Sequence, residues 1–148
     1  MQVQDVVFFS SPRNPETGYL SNFYPCPITI GGVVYKTSEH FFQSQKFVNP
    51  KDKFEAINAK TPTQSAKIGR DRQRPIRKDW DTCRDTVMRF ILTEKFKQHP
   101  ELAKRLVETG EKTLVEHRKA DKYWGDGGDG TGKNMLGVIL MEIREELS

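Results

Sequence analysis

The chain has 148 residues, 35% of them apolar and 30% charged, with a formal net charge of +4. That size and balance fit one globular domain over residues 1–148 and exclude a disordered chain. The longest purely aliphatic run, Val138–Met141, falls far short of the ~20 residues that span a bilayer. Met1–Ser11 lacks the cationic head and apolar stretch of a signal peptide, so a cytoplasmic protein with no membrane partner is expected.

Val6–Phe9 reads as a short buried strand, and Ser10–Gly18, with two prolines, as a loop. Ile28–Ile30 and Val33–Tyr35 flank Gly31-Gly32, the strongest hairpin signal in the chain. Thr37 or Ser38 caps a helix running to about Val48. Asp52–Ala59 is a second helix. Thr61-Pro62 opens a third through Gly69, with Pro62 at its first position. Asp79 starts a long helix that ends before Pro100. Glu101–Thr109 follows, closed by Gly110. Thr113–Glu116 reads as a strand and Asp121–Gly132 as a glycine-rich loop. Asn134–Leu147 is amphipathic, with Leu136, Ile139, Leu140, Ile143 and Leu147 on its apolar side. The predicted fold class is α+β, mostly helical, with a small antiparallel sheet near the N-terminus.

The charge is uneven. From Lys60 to Lys78, seven basic residues face one acid, Asp71, a local +6 that leaves −2 for the rest of the chain. A local excess of that kind points to an anionic ligand or nucleic acid bound there. Cys26 and Cys83 are expected to be free thiols. His40, His99 and His117 are isolated and no Cys or His pair has metal-ligand spacing, so neither a metal nor a cofactor is expected.

Three segments carry chemistry. In the first, Glu39, Phe42, Gln43 and Lys46 share one stripe of a helix at about 100° per residue. A polar stripe is ordinarily the solvated side of a helix. Here Phe41 and Phe47 occupy other faces, and a helix apolar nearly all round is buried. A buried Glu and Lys must pair, bind a ligand or shift their pKa values. The second segment is Lys67-Ile-Gly-Arg70-Asp-Arg72-Gln-Arg74-Pro-Ile-Arg77-Lys78-Asp-Trp80. Its guanidinium forks suit bidentate phosphate contacts, and Trp80 offers a ring for stacking.

The third is Asp121-Lys-Tyr-Trp124-Gly125-Asp-Gly-Gly-Asp129-Gly-Thr-Gly132-Lys133-Asn134. Gly127–Lys133 approximates a phosphate-binding loop, but Asn134 stands where Ser or Thr would hold magnesium. Asp126 and Asp129 would also repel phosphates. An ATPase is rejected, and the spacing does not suit a calcium loop. The plainest reading is a flexible connection capped by Asn134, with Asp121 and Trp124 able to face a ligand at the helix start.

Taken together these motifs resemble the YbiA-like, or NADAR, family. The resemblance rests on Ser21-Asn22-Phe23, Gly32-x-x-Tyr35-x-Thr37-Ser-Glu39-His-x-Phe-Gln43-x-x-Lys46-Phe and Lys67-x-Gly69-Arg70. It continues through Asp79-Trp80-Asp81, Val87-Met88, Lys95-Phe96, Leu114-Val-Glu116, Asp121-x-x-Trp124-Gly-Asp and Gly132-Lys-Asn134-x-Leu-Gly137-x-x-Leu-Met141-x-x-Arg144. The resemblance implies an N-glycosidase acting between ribose C1 and an exocyclic amine. Its substrates would be phosphorylated ribosylamines of the riboflavin pathway, or ADP-ribosylated guanine in nucleic acid.

Such cleavage needs protonation of the departing nitrogen and stabilisation of positive charge at C1. Glu39 or Asp121 could stabilise an oxocarbenium-like state. Alternatively Lys46 attacks C1 of the ring-opened sugar and forms a Schiff base. The latter needs a depressed lysine pKa, which Glu39 nearby would oppose. On this reading Glu39, Lys46 and Asp121 are catalytic and Gln43, Gly69 and Gly125 contact substrate. Lys67 and Arg70 hold phosphate, Trp80 and Trp124 line the base or ribose pocket, and Asn22 and Asn134 orient the sugar. A non-catalytic ADP-ribose or NAD-binding module, and a small nucleic-acid-binding protein using Lys60–Lys78, are the competing readings. The sequence does not report oligomeric state.

Overall fold

The structure is a computed structural model that describes residues 5–148. Part of Met1–Ser11, the segment searched for a signal peptide, therefore lies outside the described residues. The described residues form two compact units, residues 5–24 with 96–148, and residues 25–95.

The first unit holds β1 (Val6–Phe9), β4 (Thr113–Glu116), α5 (Pro100–Glu108) and α6 (Met135–Leu147). β1 and β4 pair in parallel, from Val6 opposite Thr113 to Phe9 opposite Glu116. This pair is additional to the expected small antiparallel sheet, which is the hairpin of residues 28–35 in the second unit. A parallel pair needs a crossover connection, and here nearly the whole chain lies between the strands, so no local turn signals it. Leu114, Leu136, Ile139, Leu140 and Ile143 are buried, as are Leu102 and Leu106 of α5. α6 thus presents its apolar stripe inward, while Leu147 at its end stays exposed. A short 3-10 turn at Gly18–Leu20, which the sequence pattern does not signal, buries Tyr19 and Leu20. The Arg105 guanidinium lies 4.3 Å over the Tyr19 ring.

The second unit holds the hairpin of β2 (Ile28–Ile30) and β3 (Val33–Tyr35), then α1 (Ser38–Gln45), α2 (Pro50–Ile57) and α3 (Pro62–Gly69). It also holds most of α4, which runs from Trp80 to Gln98. Ile28 faces Tyr35 and Ile30 faces Val33 across the hairpin. Gly31 and Gly32 have φ of 57° and 82°, the pair of positive φ values that a two-residue type I′ turn demands.

Caps set the helix starts. The Thr37 hydroxyl accepts from His40 N at 3.2 Å, and Thr61 accepts from Gln64 N at 3.1 Å, as N-caps do. Pro50 and Pro100 occupy first positions, so α2 and α5 begin slightly earlier than their acidic residues predict. α1 ends at Gln45 rather than Val48. Arg77 N donates to the Lys46 carbonyl at 3.0 Å, and Phe47 bridges Ile76, so residues 46–48 pair with the segment before α4 instead of continuing the helix.

Candidate active site

The acid–amide–amine stripe of α1 is inside the second unit, not on a solvated face. Glu39 is buried, and Gln43 and Lys46 are half-buried. Gln43 Nε2 donates to Glu39 Oε2 at 2.8 Å, the i to i+4 contact a helix face provides. Gln43 Oε1 is buried with no hydrogen-bond donor among the described residues. It faces Gly69 so closely that a Cβ there would overlap the amide. A side chain at Gly69, the end of α3, would therefore displace the Gln43 amide from its seat.

Lys46 donates from Nζ to the Gly69 carbonyl at 2.6 Å. Burial pushes its pKa below that of an ordinary lysine. Glu39 opposes this, while Arg70 and Arg84 reinforce it and Asp81 opposes. The opposition between Glu39 and burial is thus resolved toward a depressed amine. Lys46, Gly69, Arg70, Asp71, Arg72, Arg74 and Ile76 line a groove of about 510 Å³. Lys46, the last residue of the stripe, and the basic segment, separate in sequence, meet at this groove.

The basic segment is less charged than its composition implies. Arg74 contacts Asp52 at 3.0 Å, Glu55 at 3.1 Å and Asp71 at 3.1 Å. Arg77 makes a bidentate pair with Asp79 at 2.7 and 3.0 Å. Arg70 is exposed at the rim. Lys67 is exposed on α3 and is not among the residues lining the groove. Trp80 departs from its predicted place. It is 6% exposed and its ring sits 5.0 Å from Phe42, tilted 53°, so it supports α1 from beneath and offers no open stacking face.

The remaining predicted residues lie in the first unit. Asn22 is buried. Asp121 Oδ1 accepts from the Tyr123 and Trp124 amides at 3.0 and 2.8 Å, an Asx turn that shapes the loop. Trp124 is half-buried with its ring edge-on to Tyr123 at 4.9 Å. Gly125 packs against the Glu116 and Asp121 carbonyls. Asn134 Oδ1 accepts from Glu116 N and its Nδ2 donates to Leu114 O, both at 2.9 Å. The amide expected to orient a sugar is therefore engaged by the backbone of β4, and Asn134 braces that strand.

The loop itself is not a slack connection. Asp126, which sequence reasoning passed over except as a source of repulsion, accepts from Arg118 N, Gly128 N and His117 Nδ1 at 3.1, 2.8 and 2.9 Å. Burial raises its pKa, but the His117 and amide hydrogen bonds outweigh this and hold it below the ordinary carboxylate range. Arg72 and Ile76 were also missed as groove residues. The signal for Arg72 was present in the run of alternating arginines after Gly69; Ile76 had none.

A model of the NADAR domain matches residues 8–148. The chain belongs to the NADAR family. It is 44% identical over 146 residues to the N-glycosidase YbiA of Escherichia coli, covering 99% of this chain and 91% of that protein. An N-glycosidase of Nostoc punctiforme is 40% identical over 88% of the chain and 85% of its own length. A riboflavin biosynthesis protein of Vibrio vulnificus matches 97% of the chain at 44% identity, over 39% of its own length. The NMR structure of Escherichia coli YbiA superposes with a TM-score of 0.90, covering 99% of this chain and 87% of that one. This NADAR chain is accordingly an enzyme, a hydrolase of the N-glycosidase class. No helix among its described residues is long and apolar enough to cross a membrane. No group of three or more metal-ligating side chains occurs among them either.

Proposed function

We propose that this enzyme hydrolyses the bond between ribose C1 and an exocyclic amine in a phosphorylated ribosylamine, with Lys46 as the nucleophile. The observation that carries the reading is the depressed Lys46 amine, held on the Gly69 carbonyl at 2.6 Å and opening on a groove with Arg70 at its rim. A lysine whose amine gives up its proton more readily than an ordinary lysine is the better nucleophile for an electrophilic carbon.

In a ribosylamine the nitrogen lone pair opens the sugar ring and leaves an imine at C1. Lys46 Nζ adds to C1, both of its protons pass to the exocyclic nitrogen, and the C1–N bond to that nitrogen breaks to release the free amine. A second imine now joins Nζ to C1. Water adds to it, the C1–Nζ bond breaks, and the ring-opened sugar phosphate leaves with the lysine restored. Glu39, beside Gln43 and in electrostatic contact with Lys46, is placed to move protons in both halves. Asp121 is assigned to loop shaping in the first unit. Arg70 binds phosphate.

The riboflavin-biosynthesis name of the Vibrio relative favours a small pathway intermediate over ADP-ribosylated guanine in nucleic acid. Such a substrate implies a cytoplasmic enzyme. Borohydride added during turnover should reduce the imine and leave a sugar adduct on Lys46, read by mass spectrometry. Absence of an adduct in wild type together with full activity in Lys46→Ala would exclude this mechanism. Ribosylaminopyrimidine phosphate and ADP-ribosylated oligonucleotide, offered side by side, identify the substrate by which one yields product. Binding of both without cleavage would indicate a binding module instead.

A further inference from the structure

We infer that Arg72 is the second anion-holding residue of the groove, acting with Arg70 as a two-guanidinium clamp for the phosphate of a ribose-linked substrate. This rests on the reading of the groove given above and names what holds the substrate's charged end.

Four arginines follow Gly69 within eight residues: Arg70, Arg72, Arg74 and Arg77. Two of them are already neutralised. Arg74 faces three carboxylates, and Arg77 forks onto Asp79. Arg70 and Arg72 have no ion pair among the described residues. Both line the groove beside Lys46.

The acid between them does not compensate them. Asp71 Oδ1 accepts from Gln73 N at 3.0 Å and its Oδ2 from Arg74 Nε at 3.1 Å. That arrangement fixes the turn after α3, with Arg74 N donating to Asp71 O at 3.1 Å. Arg74 then ties the turn to α2 through Asp52 and Glu55. The result is a braced turn carrying two exposed, uncompensated guanidiniums into one groove. Charged hydrogen bonds from a planar fork suit phosphate oxygens in pairs. Ile76, 45% exposed, supplies an apolar wall to the same groove.

The probes are ribose 5-phosphate, ADP-ribose and unphosphorylated ribose, titrated into the full chain by calorimetry. Wild type should bind both phosphorylated probes and not ribose. Arg72→Ala should weaken both roughly tenfold, the loss of one charged fork. Arg72→Lys, which keeps the charge without the fork, should fall between. Lys104→Ala, exposed on α5, removes the same charge elsewhere and should stay within about twofold. Thermal unfolding confirms that each variant is folded. Either ranking of the two phosphorylated probes supports the clamp and tells monoester from diphosphate.

Equal affinity of Arg72→Ala and wild type, equal losses in Arg72→Ala and Lys104→Ala, or no binding by wild type overturns it. The two readings fail separately. Wild type that binds through Arg72 but cleaves no ribosylamine phosphate keeps the clamp and loses the glycosidase substrate. Wild type that cleaves, with Arg72→Ala unchanged in affinity and KM, does the reverse.

Discussion

Lys46 Nζ donates to the Gly69 carbonyl at 2.6 Å, and this contact joins the C-terminal end of α1 to the end of α3. The amine is anchored on a neutral oxygen rather than on a carboxylate. Its pKa falls because burial, which disfavours the charged amine, outweighs the attraction of the nearby carboxylates. Burial and Arg70 lower it while Glu39 and Asp81 raise it.

The sign of the pH profile follows. If the free amine attacks, kcat/KM rises with pH through the Lys46 pKa, which lies below the ordinary 10.5. Arg70→Ala removes a lowering charge and should move the midpoint up. Glu39→Gln removes a raising charge and should move it down, alongside any loss of rate. A midpoint that does not respond to Arg70→Ala or Glu39→Gln would remove Lys46 as its source.

Gly69→Ala tests the seat of Gln43. The added methyl would overlap the Gln43 amide, and overpacking of this kind costs about 1–3 kcal/mol. Gln43 would turn away and release its bond to Glu39. Stability and activity should both fall. Adding Gln43→Ala opens the space again, so the double variant should recover stability relative to Gly69→Ala. Denaturant titration reads the recovery, and simple additivity of the two changes would contradict the packing account.

Asn134 should show itself through stability. Its side chain closes the β4 backbone at Glu116 N and Leu114 O, and its φ of 54° lies in the left-handed region. Asn134→Ala leaves both groups unpaired and keeps the unfavourable φ, so a loss of about 2 kcal/mol is expected. Asn134→Gly loses the same hydrogen bonds but relieves the backbone, and should be the milder change. Urea midpoints for the two variants decide it; Asn134→Gly at or below Asn134→Ala would contradict the backbone contribution.

Much of this was legible in sequence, for identifiable reasons. Helix starts were marked by Thr37, Thr61 and the prolines, and the hairpin by Gly31-Gly32, because capping and turn chemistry are local. The buried stripe of Glu39, Gln43 and Lys46 was visible as a helix with phenylalanines on its other faces. What escaped depends on distant partners. The parallel pairing of β1 with β4 carries no turn signal. Trp80 looked like a stacking ring beside basic residues, yet Phe42, thirty-eight positions earlier, takes its face. The charge excess counted Arg74 as free because Asp52 and Glu55 lie on another helix.

His40 is the clearest case of a residue whose role only three dimensions reveal, and it makes a stability prediction. The ring is fully buried. Its Nε2 donates to the Ala59 carbonyl at 3.0 Å, and its Nδ1 accepts from the Thr37 hydroxyl at 2.8 Å. The Ala59 carbonyl can only accept, so Nε2 carries a proton, and in the neutral ring the Thr37 hydroxyl, which also accepts from His40 N, donates to Nδ1. Burial lowers the His40 pKa below 6.5; the Ala59 bond opposes this and Lys36 adds to it. With the folded value depressed, both states are neutral above about pH 6.5 and the contribution is fully present. As pH falls from there toward the folded value, the unfolded chain takes up a proton that the folded ring resists, and stability declines. Chemical denaturation between about pH 8 and pH 5 should show this slope in wild type. His40→Gln should be less stable at pH 8 by about 2 kcal/mol, through lost hydrogen bonds, and should lack that part of the slope. Identical slopes in the two proteins would mean that His40 does not set the acid limit.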